Sequence, residues 1–239
     1  MHQRHRLLLI ALLLVGVLTS VVFAQGSALL NAYESLYYYS LRLDDRFPTI
    51  SPLSTTVQEL EKEIQSGLRP DEARVVLGMV YQVTGAWEQA IEFYQQAAAN
   101  LPNNGSIAIL IGDIHRHQGR WSDAEASYRE ALDVDSFARA YNGLGQISLS
   151  RSDYSAASEY FSSALDTAEE YLAARIGLGQ ALFYLGEDET AIETLEIAIG
   201  QDSRSIEANH YLALLYERQG ETEKAAHAAQ RAEELRNSH

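Results

Sequence analysis

From Asp71 onward, apolar and small residues recur at helical spacing, and the whole pattern returns about every 34 residues. The tetrapeptide GLGQ marks this period, because it occupies residues 143–146 and again residues 177–180. Periods of about 20–50 residues are typical of proteins built from stacked structural units. The pattern therefore predicts five consecutive units, within which each position is numbered as a place from 1 to 34. Their bounds are 71–104, 105–137 (one residue shorter), 138–171, 172–205 and 206–239.

Several places in the unit keep one kind of residue. Place 8 is Gly or Ala, places 20 and 27 are Ala, and place 15 is Gly in four units and Ser in the third. Small residues let two helices approach closely, and a large residue can then fill the space between them. A Gly in the left-handed conformation commonly ends a helix, as place 15 would require. Each unit is therefore predicted to be a helix, a tight turn and a second helix. Place 24 holds Tyr94, Tyr128, Phe161, Leu195 and Ala229.

The paired glycines of GLGQ raise a second interpretation, a loop that binds phosphate. A dinucleotide-binding loop needs a third Gly or Ala three residues further on, between a strand and a helix. Ser148 and Leu182 occupy that position, and no run of β-branched residues precedes either copy. The sequence thus favours close helix packing over a phosphate site.

The pattern resembles the tetratricopeptide repeat, whose motif of Leu-Gly, an aromatic, Ala, a second aromatic and Ala is complete in the first unit. The resemblance covers residues 71–239 and implies an all-α, right-handed α-solenoid of helix-turn-helix repeats. Two departures occur: His115, Ser148 and Leu182 replace the first aromatic, and only the first unit ends with a Pro. The first unit's motif residues are Leu77, Gly78, Tyr81, Ala90, Tyr94, Ala97 and Pro102.

The resemblance also implies a concave groove lined by the first helix of each unit, through places 2, 5, 9, 12 and 13. Amide side chains there could donate to and accept from a peptide backbone, while Arg and aromatic residues are frequent binding hot spots. Val75 and Met79 replace the Lys and Asn with which some relatives hold a carboxyl terminus, so that function is not expected. The predicted groove residues are Arg116, Arg139, Asn142, Gln146, Gln180, Phe183, Tyr184 and His210.

The amino terminus reads as an export signal or a membrane anchor. Two arginines precede an apolar stretch at residues 7–24, and Val22 and Ala24 fit a small-residue cleavage site. The stretch is also just long enough to span a bilayer if it is not cleaved. Both alternatives predict that the remainder lies outside the cytoplasm, in the periplasm, at the cell surface or in the medium. Residues 25–70 are predicted to be a separate helical and linker region.

Composition and the absence of known motifs argue against nucleic-acid binding, catalysis and metal binding. The 33 acidic against 18 basic residues give a net charge of −15, which disfavours nucleic acid as a partner. No nucleophile elbow, HExxH or Walker sequence occurs, so no catalysis and no cofactor are expected. Two histidines at 115 and 117 would diverge on a helix, and there is no cysteine, so no metal site is expected.

The sequence therefore predicts a non-catalytic scaffold that binds a protein or peptide segment in the groove. Two alternatives stay open. The chain could self-associate within an envelope assembly, although a homo-oligomer is not favoured, or the groove could bind a glycan or small ligand through Phe183, Tyr184 and the tyrosines of residues 33–39. The sequence names neither the partner nor the pathway.

Overall fold

The structure is a computed structural model that describes residues 53–67, 70–101, 104–135 and 137–237. In these ranges the chain forms eleven α-helices and no strand. The helices are α1 Leu53–Ser66, α2 Pro70–Val83, α3 Trp87–Asn100, α4 Gly105–His117, α5 Trp121–Val134, α6 Ala138–Ser150, α7 Tyr154–Thr167, α8 Leu172–Leu185, α9 Asp188–Gln201, α10 Ile206–Arg218 and α11 Thr222–Asn237.

The contacts divide the chain into two compact units, residues 1–100 and residues 101–239. From here on, "first unit" and "second unit" mean these two parts, and the five 34-residue segments of the sequence are called repeats. In the first unit, α1 packs on α2 and α2 packs on α3. In the second unit, each helix from α4 to α11 packs on the next, so that four helix pairs follow one another. The predicted all-α solenoid of helix-turn-helix repeats is confirmed. The boundary that the sequence places between residues 70 and 71 stays a prediction.

The turn inside each helix pair is built in the same way in all five pairs. Place 15 has a positive φ in each, from 61° at Ser152 to 78° at Gly186. The backbone N–H at place 16 donates to the carbonyl at place 11, as from Asp153 to Ser148 at 2.9 Å and from Glu187 to Leu182 at 3.0 Å. This bond and the left-handed residue before it end the first helix and turn the chain back. The predicted role of place 15 is confirmed, including that of Ser152 in the third repeat.

The GLGQ glycines lie where helices approach closely on both sides of one aromatic ring. A Cβ on Gly145 would lie 2.7 Å from the ring of Phe161, and a Cβ on Gly177 would lie 2.5 Å from the same ring. Tyr128 lies in the same way against Gly112 and Gly143. The place-24 residue therefore fills the space between place 8 of its own repeat and place 6 of the next repeat. This confirms close packing as the reason for the motif.

The first helices of the second unit lie on the inner side of its curvature. In its described residues, α4 contacts α6, α6 contacts α8 and α8 contacts α10, while no comparable contact joins one second helix to another. Helices that also touch the equivalent helix of the next repeat lie closer together than helices that do not. The first helices thus form the concave side that solenoid repeats commonly use for binding.

Within the part of the chain that the structure describes, no helix is both long and apolar enough to cross a membrane. The predicted signal or anchor at residues 1–24 and the tyrosines of residues 33–39 lie outside the described residues.

Candidate functional site

The concave side of the second unit carries a buried polar network between α4, α5 and α6. Asp113 is 5% exposed and Arg139 is 8% exposed, and an Arg139 guanidinium nitrogen lies 2.5 Å from Asp113 Oδ2. The hydroxyl of Tyr128 donates to Asp113 Oδ1 at 2.6 Å. Arg116 Nε donates to the Tyr128 oxygen at 3.2 Å. The network therefore ties the second and third repeats together with charge-assisted bonds.

Burial raises the pKa of the Tyr128 hydroxyl, and the neighbouring Asp113 carboxylate raises it further, against the opposing charge of Arg116. A proton held this firmly keeps Tyr128 a donor to Asp113 throughout the physiological range. The network is thus a structural feature that joins two repeats.

Arg139 is one of the predicted groove residues, and its position differs from that expectation. Its guanidinium neutralises the buried Asp113 carboxylate, because an unpaired charge in this interior would be costly. Little of the side chain reaches the solvent, so in this conformation Arg139 is a structural residue between two repeats. Arg116 stays partly exposed at the edge of the same network.

The three predicted amides, Asn142, Gln146 and Gln180, lie half-buried on α6 and α8. The Asn142 side-chain oxygen is buried and accepts no hydrogen bond from the described residues. An amide oxygen in that state is able to accept from a partner that reaches it. The contact predicted for these amides with a peptide backbone stays a prediction.

A group of aromatic side chains lies further along the second unit, and we refer to Tyr154, Phe183, Tyr184 and Tyr211 as the aromatic cluster. The rings of Tyr154 and Tyr184 are stacked, with centroids 4.6 Å apart and planes 13° apart. Phe183 and Tyr211 lie 5.4 Å apart, and Tyr184 and Tyr211 lie 6.3 Å apart at an angle of 73°. His210 contacts the ring of Tyr211 at 5.4 Å. The structure thus brings three predicted residues, Phe183, Tyr184 and His210, into one place.

The aromatic cluster is partly exposed to the solvent. Tyr184 is 47% exposed, and the other three rings are half-buried. Contiguous exposed apolar surface on a soluble protein commonly marks an interaction site. The cluster is therefore the candidate binding surface of the second unit.

Tyr154 and Tyr211 belong to the cluster although they are not among the predicted groove residues. Tyr154 begins α7, outside the places that the resemblance assigns to the groove. Tyr211 stands at place 6 of the fifth repeat, where the two preceding repeats have Gly143 and Gly177. This change from Gly to Tyr within one column was a signal that the sequence offered.

Charged residues border the aromatic cluster on two sides. The guanidinium carbon of Arg218 lies 4.3 Å from the centroid of the Phe183 ring, and a guanidinium nitrogen of Arg218 lies 2.5 Å from Asp188 Oδ1. Burial raises the pKa of Tyr211, and its hydrogen bond with Tyr184 and the charge of Glu207 raise it further. Glu207 stands four residues before Tyr211 on α10, which places the two side chains on the same face of that helix.

A groove of about 500 Å³ lies between α10 and α11. Its floor includes Ala213 and Ala229, which stand at places 8 and 24. In the other repeats a Gly at place 8 meets a large side chain at place 24, so here the space that such a side chain would fill is open.

His115 faces partly inward at place 11, and its Nδ1 is buried without a hydrogen-bond partner among the described residues. Burial lowers the pKa of this imidazole, and the charge of Arg120 lowers it further, against an opposing effect of Asp123. In the described ranges, no three His, Asp or Glu side chains lie close enough together to hold a metal ion.

Comparison with known proteins identifies the repeats. Three sequence models of the tetratricopeptide repeat match residues 71–136, 109–171 and 148–204, and together they cover more than half of the chain. The human tetratricopeptide repeat protein 7B is 31% identical over 90 residues, which are 37% of this chain and 11% of that protein. The chain thus spans about a tenth of the length of this curated relative.

Solved structures agree with this result. A crystal structure of MamA is 26% identical and aligns with a TM-score of 0.59 over 68% of this chain and 95% of that one. MamA from Desulfovibrio magneticus RS-1 is 19% identical, with a TM-score of 0.61 over 70% and 96% of the two chains. YrrB, described as a TPR protein with an unusual peptide-binding site, is 18% identical, with a TM-score of 0.60 over 75% and 93%. The last two show the fold alone.

The repeat columns, the left-handed turns, the glycine–aromatic joints and the sequence matches agree with one another. The chain belongs to the tetratricopeptide repeat family.

Proposed function

We propose that this protein is a non-catalytic scaffold outside the cytoplasm, and that it binds a segment of a protein partner on the concave side of residues 104–237. The observation that carries the proposal is the aromatic cluster, which presents the half-exposed Tyr184 beside three further rings. Aromatic side chains of this kind dominate the binding energy of many protein interfaces. Phe183, Tyr184 and His210 lie on first helices, α8 and α10.

The tetratricopeptide repeat fold supports an interaction role in general. YrrB, which has the same fold, is described as having a peptide-binding site, so the fold is compatible with this proposal. The location outside the cytoplasm rests on the sequence of residues 1–24. A reporter enzyme that is active only after export, fused after residue 239, tests it: activity lost on deletion of residues 1–24 is the expected result.

Photo-crosslinking tests the binding surface. A photoreactive amino acid replaces Tyr184 in one variant and Glu130 in a second, and both are expressed in the source cell. Glu130 is exposed on the second helix α5 and serves as the matched control. We expect a discrete adduct from position 184 and none from position 130, with the partner identified by mass spectrometry.

Other outcomes separate the alternatives. Adducts of position 184 with a further copy of this chain would favour self-association, and a mass that is independent of concentration in sedimentation would argue against it. A glycan that raises the melting temperature of the protein only when Tyr184 is present would favour a ligand-binding module. Equal adducts from both positions would contradict the concave-side proposal.

A further inference from the structure

The tyrosine rings of the aromatic cluster lie in two orientations. Tyr154 and Tyr184 are nearly parallel, whereas the plane of Tyr211 stands at 73° to that of Tyr184. The face of an aromatic ring carries negative electrostatic potential and attracts a cation that lies within about 6 Å of the ring centroid. Rings at a steep angle are thus suited to contact one cationic group from two sides.

The cluster already holds one such cation. The guanidinium of Arg218 lies over the ring of Phe183, and Asp188 balances its charge through an ion pair. A ring face and a carboxylate together therefore form a stable site for a guanidinium in this part of the protein. Glu207 lies four residues before Tyr211 on α10, so that the two side chains are neighbours on one face of the helix.

Charge favours a basic ligand over an acidic or neutral one. Glu207 is exposed, and no hydrogen bond or ion pair from the described basic side chains holds its carboxylate. The positive charge of Arg218 is already balanced by Asp188, so the cluster with Glu207 has a negative balance. The whole chain has a net charge of −15, which attracts basic partners over longer distances.

We propose that Tyr154, Tyr184 and Tyr211, together with Glu207, form a recognition site for an Arg or Lys side chain of a basic partner segment. The inference rests on the proposed function and specifies the chemistry of the partner. The cationic head contacts the ring faces of Tyr184 and Tyr211, and Glu207 neutralises its charge.

Peptide binding tests the proposal directly. Fluorescently labelled hexa-arginine, hexa-lysine and hexa-glutamine are titrated with the full chain at about 0.15 M salt, where attraction between distant exposed charges is largely screened. We expect the two basic peptides to bind and hexa-glutamine not to bind. Equal binding of all three would overturn the proposal.

Substitutions locate the binding. Tyr184→Leu removes the aromatic face but keeps an apolar side chain, and we expect it to weaken hexa-arginine binding about three- to tenfold. Tyr184→Phe keeps the face, and we expect affinity within about twofold of the unaltered protein. An affinity of Tyr184→Leu equal to that of Tyr184→Phe would overturn the role of the ring.

A matched pair of charge variants separates a local contact from general attraction. Glu207→Gln and Glu193→Gln remove the same charge, but Glu193 is exposed on the second helix α9. We expect Glu207→Gln to weaken hexa-arginine binding and Glu193→Gln to leave it almost unchanged. Equal losses in both variants would mean that hexa-arginine binds by non-specific attraction, which contradicts the site.

The two proposals can fail separately. A discrete crosslinked partner at position 184 combined with an unaltered hexa-arginine affinity of Tyr184→Leu would keep the scaffold and refute the cation site. Binding of hexa-arginine through Tyr184 without any crosslinked partner would support the cation site and count against the scaffold. Self-association abolished by Tyr184→Leu would make a second copy the occupant and overturn the basic partner.

Discussion

Two regions of the second unit use equivalent positions of the first helices in opposite ways. We call the packing interface between two successive repeats a joint. At the joint of the second and third repeats, Asp113 and Arg139 occupy groove places, yet both are buried against each other. At the joint of the fourth and fifth repeats, Tyr184 and Glu207 occupy groove places and are exposed. Asp113 and Arg139 thus bond to each other inside the protein, whereas Tyr184 and Glu207 are presented to the solvent.

The comparison shows that a groove place does not by itself make a binding residue. A charged side chain there stays available only if the neighbouring repeat lacks a group of opposite charge within reach. Asp113 meets Arg139 across the joint, whereas the described structure gives Glu207 no such ion pair. On the function proposed above, stability and recognition are therefore assigned to different joints of one array.

The largest expected effect concerns the buried joint. Arg139→Ala leaves the Asp113 carboxylate buried without its ion-pair partner, and we expect a loss of about 3–5 kcal/mol in the free energy of unfolding. Urea unfolding of the full chain, followed by circular dichroism, measures it. Arg120→Ala is the control, since it removes an exposed i,i+3 pair with Asp123 and should cost less than about 1 kcal/mol. Equal losses in the two variants would contradict the structural role of Arg139.

A smaller effect distinguishes the two glycine–aromatic joints. Gly143→Ala adds a methyl group against Tyr128, which its bond to Asp113 holds in place, and we expect a loss of about 2–3 kcal/mol. Gly177→Ala adds the same group against Phe161, whose ring no hydrogen bond holds in place, and about 1–2 kcal/mol is expected. Gly200→Ala, with no atom within 4 Å of the added group, is the control and should not destabilise the fold. The same urea measurement decides, and a larger loss for Gly177→Ala would reverse the argument.

The Tyr128 hydroxyl makes a separable contribution. Tyr128→Phe keeps the ring between Gly112 and Gly143 but removes the donor to Asp113, and we expect a loss of about 1.5 kcal/mol. In the double variant with Asp113→Asn, the loss from Tyr128→Phe should shrink, because the acceptor is no longer charged. Strictly additive losses in this cycle would show that the bond contributes little.

The smallest effect on stability is expected at the exposed joint. Tyr184→Leu removes the stacking on Tyr154 but keeps an apolar side chain that is already half exposed, and we expect a loss of about 0.5–1 kcal/mol in the free energy of unfolding. Thermal unfolding and the binding titrations on the same preparation make the check. A loss comparable to that of Arg139→Ala would show that the aromatic cluster is a structural core rather than a binding surface.

Much of the fold could be predicted from the sequence, because the residues that form the turns and the close helix contacts recur at the same places of successive repeats. The left-handed turn at Ser152 was predictable from the Gly residues at the same place in the other repeats, although Ser rarely adopts a positive φ. The close approach of Gly145 to Phe161 followed from residue size alone. Local chemistry repeated five times leaves little ambiguity.

The candidate site was only partly predictable, because its contacts join residues of different repeats. Asp113 and Arg139 are 26 residues apart, and Tyr154 and Tyr184 are 30 residues apart, so neither pair stands in one column. Whether Arg139 is exposed or buried depends on the residue opposite it. A column shows what a place usually holds, and only the packed joint shows which neighbour that side chain meets.

The joints also limit how this array can change by duplication of its repeats. The sizes of the facing residues are complementary within each joint: Tyr128 and Phe161 face a Gly at place 6 of the next repeat, whereas the smaller Leu195 is followed by Tyr211. A tandem copy of residues 138–171 would set Gly143 against Phe161, which matches the existing contact of Gly177. A tandem copy of residues 172–205 would set Gly177 against Leu195 and leave a void. Recombination can therefore lengthen this protein more readily at its third repeat than at its fourth.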